Sequence, residues 1–186
     1  MFMRFGDAAK THHDLVFDGA AGKCFADLRG GKMDGDQTGA SAWSHSRVTD
    51  GPWKGWMAYG PDPFEDHAGP YFYRLDEAGR PVCAMRTEAH HMNGGGFMHG
   101  GAIMTFADYC LFIIAQEAIR DQHAVTATFN GEFVGSVPPG VLVEGTGEVV
   151  KDGRSMVFVR GLITTGTEPV MSFSAVLKKV RPRAKG

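Results

Sequence analysis

The sequence predicts an α+β domain in which one antiparallel sheet wraps a single long central helix. Three observations lead there. The run Ala102–Ala115 reads AIMTFADYCLFIIA, with Asp108 as its only charge, and a helix almost wholly covered in apolar side chains has to be enclosed. From Val125 onward the chain reads as strands, alternating with period two and broken by turn sequences. Two further strand-like segments precede the helix. One apolar helix beside one antiparallel sheet is buried only if the sheet curls round it. The free edge and remaining apolar face of such a sheet call for a partner chain.

In chain order, residues 1–50 stand apart. They are rich in Gly, Asp and Ser and hold no useful apolar period, so they read as a loosely held extension or an arm across a partner. His12, His13 and His45 read there as exposed and silent. A domain over residues 51–182 follows, with a short basic tail over 183–186. In Gly51–Pro70, Trp53, Trp56, Tyr59 and Phe64 are expected to cap a core edge or line a pocket mouth. Glu65, Asp66 and His67 are assigned to a turn between Pro63 and Pro70. Tyr71–Leu75 and Val82–Glu88 form a hairpin around Asp76-Glu77-Ala78-Gly79. The helix runs to near Arg120-Asp121. Val125, Ala127, Phe129, Gly131 and Phe133 then alternate with Thr126, Thr128, Asn130 and Glu132. Val141–Val150, Ser155–Thr164 and Val170–Val180 complete a meander, the first turn using Pro138-Pro139-Gly140 and the second Asp152-Gly153.

Composition narrows the function. Nineteen basic residues stand against 21 acidic ones, which gives no basic footprint for nucleic acid. Cys24, Cys83 and Cys110 are scattered and lack CxxC spacing, as reduced thiols in a cytoplasmic protein do. The N-terminus has no apolar core of signal-peptide length. The apolar run of the helix is too short for a membrane span and is interrupted by Asp108.

The chemistry concentrates in residues 91–108. A glycine-rich turn brings two histidines and an asparagine to the helix start, and the helix carries a lone carboxylate. A carboxylate in an apolar setting costs several kcal/mol unless it is paired or becomes neutral. A structural, hydrogen-bonded aspartate and a functional one are both consistent with that residue alone. The pattern H-x-N-x-x-G-x-x-H-G-G is filled by His91, Asn93, Gly96, His99, Gly100 and Gly101, with Ala107-Asp108 further along the helix. It resembles the hotdog-fold acyl-CoA thioesterases of the PaaI type over roughly residues 60–180. The resemblance implies hydrolysis of an acyl-CoA thioester, with an aryl or medium-chain acyl group, to free acid and coenzyme A. It implies Asp108 as general base or nucleophile, and the Gly100 N–H with His99 at the thioester oxygen. Asn93 would hold the nucleophile or carbonyl, and Thr126, matched by spacing only, would orient the carboxylate or water. Gly96, Phe97, Met98 and Gly101 are the candidates for substrate contact.

Elementary chemistry agrees with that implication. The tetrahedral intermediate needs fixed donors, and free N–H groups at a helix start supply them. A desolvated carboxylate supplies a base. Asp108 lies seven residues beyond Gly101, about 10 Å along the helix axis at roughly 1.5 Å per residue. One chain's Asp108 therefore does not serve its own Gly100, and a homodimer or homotetramer with composite sites between subunits is expected. No metal or cofactor is implied, because HExxH-type spacing and a phosphate loop are missing, and the G-x-S-x-G of a serine hydrolase is absent too. The alternative is a non-catalytic acyl-CoA-binding or regulatory protein of the same fold. Phe97, Met98, Met104, Phe106, Tyr109 and Trp56 could line an acyl pocket, but ordinary core packing is the simpler reading. Lys151, Arg154, Arg181 and Arg183 are candidates for the phosphates of coenzyme A, although a solvated surface explains them as well.

Overall fold

A computed structural model describes residues 33–35 (backbone only), 44–120 and 122–180. Among the described residues, nine strands form one antiparallel sheet: β1 (Met33–Gly35), β2 (Ser44–Val48), β3 (Met57–Gly60), β4 (Phe72–Leu75), β5 (Pro81–Arg86), β6 (His123–Phe133), β7 (Leu142–Asp152), β8 (Met156–Thr165) and β9 (Glu168–Val180). Helix α1 (Pro63–Ala68) lies between β3 and β4, and helix α2 (Gly100–Ile114) between β5 and β6. The spatial order is β1-β2-β3-β4-β5-β7-β8-β9-β6. The chain leaves β5, passes through α2 and returns at the far edge as β6, which among the described residues pairs only with β9. The helix thus crosses the inner face of the sheet, touching β5, β6, β7, β8 and β9.

Alternation along the strands decides which residues face the helix. Val143, Val157, Val159, Ile163, Met171, Phe173, Ala175 and Leu177 point inward and are buried, as are Ile103, Phe106, Leu111 and Ile113 of α2. Close approach is built into β7: a methyl group at Gly145 would run into Cys110 Sγ, and one at Gly147 would press on Ile114. Cys83 and Cys110 are buried free thiols. No helix among the described residues is long and apolar enough to cross a membrane.

The expected single helix inside an antiparallel sheet is what the chain forms, but three expectations are corrected. The helix stops at Ile114 rather than near Arg120, because the apolar run ends at Ala115 and the next residues close into turns, such as Ile119 N–H to Ala115 C=O at 3.1 Å. The Pro63–Pro70 turn is a helix: Asp62 caps it, its Oδ1 accepting from the Phe64 and Glu65 N–H groups at 3.0 Å each. The period-two face of β6 is broken at Ala127, where the register with β9 slips between Thr126 and Thr128. Ala124 and Thr126 precede that bulge and Phe129 follows it, and these three are the part-buried positions of the strand.

The expected extension over residues 1–50 lies mostly outside the described residues. The described part adds β1 and β2 to the sheet edge. His45 is exposed, yet its Nδ1 lies 2.6 Å from the Tyr73 hydroxyl. Trp53 stacks on Phe72, and with Trp56 it closes a second small core with Val48 and Ala58. Arg181 and Arg183 fall outside the described residues.

Candidate active site

The glycine-rich segment is ordered by its own side chains. Asn93 Oδ1 accepts from the Gly95 N–H at 2.8 Å and the Phe97 N–H at 3.3 Å, closing a tight turn that places Gly96 at φ +81°. No hydrogen bond to the described residues uses the Nδ2 hydrogens of Asn93. His91 is buried. Its Nδ1 accepts from the Glu88 N–H at 2.8 Å, so Nε2 carries the proton and donates to the Ala68 carbonyl at 2.9 Å. That bond ties the segment before α2 to the end of α1. Burial lowers the His91 pKa, which keeps the ring neutral as this bonding pattern requires.

His99 is the N-cap of α2. Its Nδ1 accepts from the Gly101 N–H at 2.9 Å, and its carbonyl accepts from Ala102 and Ile103 at 2.9 and 3.1 Å. Of the first-turn amides, only the Gly100 N–H is left without a partner in the described structure. With Nδ1 an acceptor, Nε2 of the neutral His99 ring carries the hydrogen. The helix start thus offers two donors, one from backbone and one from the ring. Phe133 sits beside Gly100, with its Cζ 3.4 Å from where a Cβ would be.

Asp108 is half-buried two turns further on. The Thr126 hydroxyl donates to its Oδ1 at 2.7 Å, so the pair matched by spacing is in direct contact. Desolvation raises the Asp108 pKa, and the Thr126 bond opposes that shift. Asp108 stands on the wall of a cavity of about 290 Å³ lined by Phe64, Glu65, Met104, Thr105 and Phe129. This is near the lower bound of ligand pockets, roughly 300 Å³.

The cavity includes one residue that the sequence reading assigned to a turn. Glu65 reaches it from α1, and burial, followed by the charges of Asp62, Asp108 and Asp66, pushes its pKa up to about 8. Its Oε2 is buried and finds no hydrogen-bond partner among the described residues. The Asp62-Pro63 pair, a cap followed by proline at the first helical position, was the available sign of a helix here. Which of Glu65 and Asp66 turns inward was not readable from their order.

The remaining assignments divide. Asp108 and Thr126 come together; Asn93, His99 and Gly100 gather separately at the helix start. Met98 is a core residue, 4% exposed, and does not line the cavity. Gly96 and Phe97 stay at the exposed turn and Gly101 at the exposed start of α2, all three outside the cavity. Phe106 and Tyr109 are core, whereas Met104 is a cavity wall.

Residues 95–172 match the family model described as the thioesterase superfamily. A Pseudomonas aeruginosa protein whose name marks it as a candidate esterase, PA0474, is 34% identical over 115 residues, 61% of this chain and 86% of that relative. Among solved structures, a variant of the phenylacetic acid degradation protein PaaI from Thermus thermophilus superposes with a TM-score of 0.56 at 22% identity, covering 64% of this chain and all (100%) of that one. A hypothetical thioesterase from Streptococcus pneumoniae, solved with coenzyme A, gives 0.54 at 18% identity, covering 61% and 88%.

Proposed function

Because the chain belongs to the thioesterase superfamily and takes its hotdog fold, we propose that it is an acyl-CoA thioesterase, hydrolysing an aryl or medium-chain acyl-CoA to free acid and coenzyme A. The observation that carries this reading is Asp108, held by Thr126 at 2.7 Å on the wall of a mostly apolar cavity. The coenzyme A in the Streptococcus pneumoniae structure supports the same substrate class.

In this reading the acyl group enters the cavity and its carbonyl meets the donors of a helix start. Asp108 acts as general base, taking a proton from water as the water oxygen bonds to the carbonyl carbon, or as nucleophile through its own oxygen. Negative charge then builds on the carbonyl oxygen, where the Gly100 N–H and His99 Nε2–H receive it. Collapse of the intermediate breaks the carbon–sulfur bond and coenzyme A leaves as the thiolate. The general-base route gives the free acid at once, whereas the nucleophile route leaves an acyl–Asp108 anhydride that water then hydrolyses to the acid and free carboxylate.

The donors come from a second copy of the chain. Gly100 and Asp108 are eight residues apart on one straight helix, roughly 12 Å at about 1.5 Å per residue. Among the described residues β6 has one unpaired edge, and Val125, Phe133 and Val134 on or just past it are 50%, 50% and 59% exposed. A homodimer or homotetramer would cover them.

Release of free thiol from a broad acyl-CoA panel tests the activity. Tight binding of a panel member without thiol release from any would establish the non-catalytic acyl-CoA-binding alternative instead. Mixing Asp108→Ala chains with His99→Ala chains tests the shared site: activity returns in mixed oligomers if donors and carboxylate come from different subunits. Persistent inactivity, with mixing verified, refutes the sharing.

A further inference from the structure

We propose that Phe133 is a specificity-determining residue that acts across the subunit boundary. Its ring closes the carbonyl end of a second copy's acyl cavity and limits branching at the acyl carbon next to the thioester. This inference rests on the thioesterase reading and on its shared site, and its test separates its failure from theirs.

Phe133 is a large apolar side chain left 50% exposed at the end of β6. Its ring meets the start of α2 tip first: Cζ, Cε1 and Cε2 lie 3.4, 3.7 and 3.9 Å from where a Cβ on Gly100 would stand. The backbone beside it is held. The Val134 and Gly135 N–H groups both donate to the Val170 carbonyl, at 2.9 and 3.1 Å. Further on, the Val137 carbonyl accepts from the Met98 N–H at 2.8 Å, which ties the segment after β6 to the one before α2. The Gly100 N–H, the open backbone donor of the helix start, therefore has a positioned aromatic ring as its neighbour.

That ring does not line the cavity of its own chain. β6 runs back along α2, with Thr126 bonded to Asp108 at 2.7 Å and Phe133 against Gly100. Phe129, between the two, is a cavity wall. Each chain thus carries its two half-sites at opposite ends of one packed pair of elements. A two-fold arrangement that brings a second copy's Gly100 to Asp108 lays the two pairs head to tail. It carries the second copy's Phe133 to residues 126–129, beside the cavity. A carbonyl oxygen bound by the Gly100 N–H sits about 3 Å from it, so the acyl carbon next to that carbonyl comes under the ring. The walls already there include Phe64, Met104 and Phe129, and an apolar ring completes them.

A simpler account makes Phe133 a plain interface contact, covered when two copies meet. In that role it affects association and overall rate, but not the choice between esters.

The test measures thiol release by wild type, Phe133→Leu and Phe133→Ala. Hexanoyl-CoA is compared with 2,2-dimethylhexanoyl-CoA, and benzoyl-CoA with 2-methylbenzoyl-CoA; decanoyl-CoA against hexanoyl-CoA controls for length. Comparing ratios between variants cancels the intrinsic reactivity of each ester. The branched-to-unbranched ratio of kcat/KM is expected to rise on the order of tenfold or more in Phe133→Ala, and less in Phe133→Leu, while the length ratio stays put. An unchanged branched ratio, or a length ratio that moves as far, overturns the proposal. If Phe133→Ala does not fold or assemble, Phe133→Leu decides by the same ratios.

Mixed oligomers then assign the ring to its site. Chains with both Asp108→Ala and Phe133→Ala, mixed with His99→Ala chains, form a working site that takes its donors and residue 133 from the first chain. That site should show the raised branched ratio. Moving Phe133→Ala onto the His99→Ala chain should bring back the wild-type ratio, and the reverse pattern overturns the proposal. No recovery when Asp108→Ala alone is mixed with His99→Ala refutes the shared site, and the proposal with it. A wild type that releases thiol from no ester refutes the thioesterase reading; the same ratios, taken from dissociation constants by titration calorimetry, then decide the role of Phe133.

Discussion

Replacing Glu65 with glutamine should stabilise the protein, and by an amount that grows with pH. A carboxyl that titrates near 4.5 when solvated is pushed to about 8 in the fold. Between those values the folded state binds a proton that the unfolded state has released, so stability falls as pH rises through that window. Each pH unit is worth about 1.4 kcal/mol. At pH 7, 2.5 units above the ordinary value of 4.5, the wild type is less stable by roughly 3 kcal/mol than it would be with an unperturbed group. Glutamine does not titrate and keeps nearly the same shape. Urea denaturation at fixed protein concentration, repeated from pH 4 to pH 9, reads the difference directly. The advantage of Glu65→Gln should open above about pH 4.5, approach 3 kcal/mol near neutrality and level off beyond about pH 8. Parallel profiles across that range would mean that Glu65 ionises as freely as on a surface, and the argument for a neutral carboxyl in the cavity would collapse.

Other substitutions separate the roles of the neighbouring groups. Asp108→Asn should lower kcat by roughly 10²–10⁴-fold, the range for loss of a positioned acid–base group, with thermal unfolding showing that the fold survives. Thr126→Val removes the hydrogen bond that favours ionised Asp108. The Asp108 pKa should rise further and move the acid limb of the kcat–pH profile upward; an unmoved limb would show that Asp108 is not the titrating base. His91→Ala leaves the Glu88 N–H and the Ala68 carbonyl without their ring partner and should cost about 2–4 kcal/mol in urea denaturation. The lowered His91 pKa makes that contribution complete above about pH 6.5 and diminishing as pH falls through the folded value, so wild type and variant should converge on the acid side.

What the sequence disclosed follows how locally each feature is encoded. The α2 helix and the strands β7, β8 and β9 were legible because a periodic apolar face is a property of adjacent residues. Even there, the bulge at Ala127 was hidden, since it belongs to the pairing of β6 with β9 rather than to either strand. The motif residues were legible as types, but His99 and Asn93 turned out to spend part of their bonding capacity on their own turn, through Nδ1 and Oδ1. That leaves Nε2–H, Nδ2 and the Gly100 N–H as what a substrate could meet. Thr126 was found by spacing because a strand entering directly after the helix must pass alongside it. Glu65 shows the opposite case. It lies 43 residues before Asp108, on a six-residue helix whose placement depends on a bond from His91 to Ala68. Nothing within a window of that helix says that Glu65 rather than Asp66 turns inward. A carboxyl in such a position acquires its neutral state from tertiary neighbours alone, from burial and from the negative charges of Asp62, Asp108 and Asp66. The chain could have avoided that stability cost with an apolar residue at position 65.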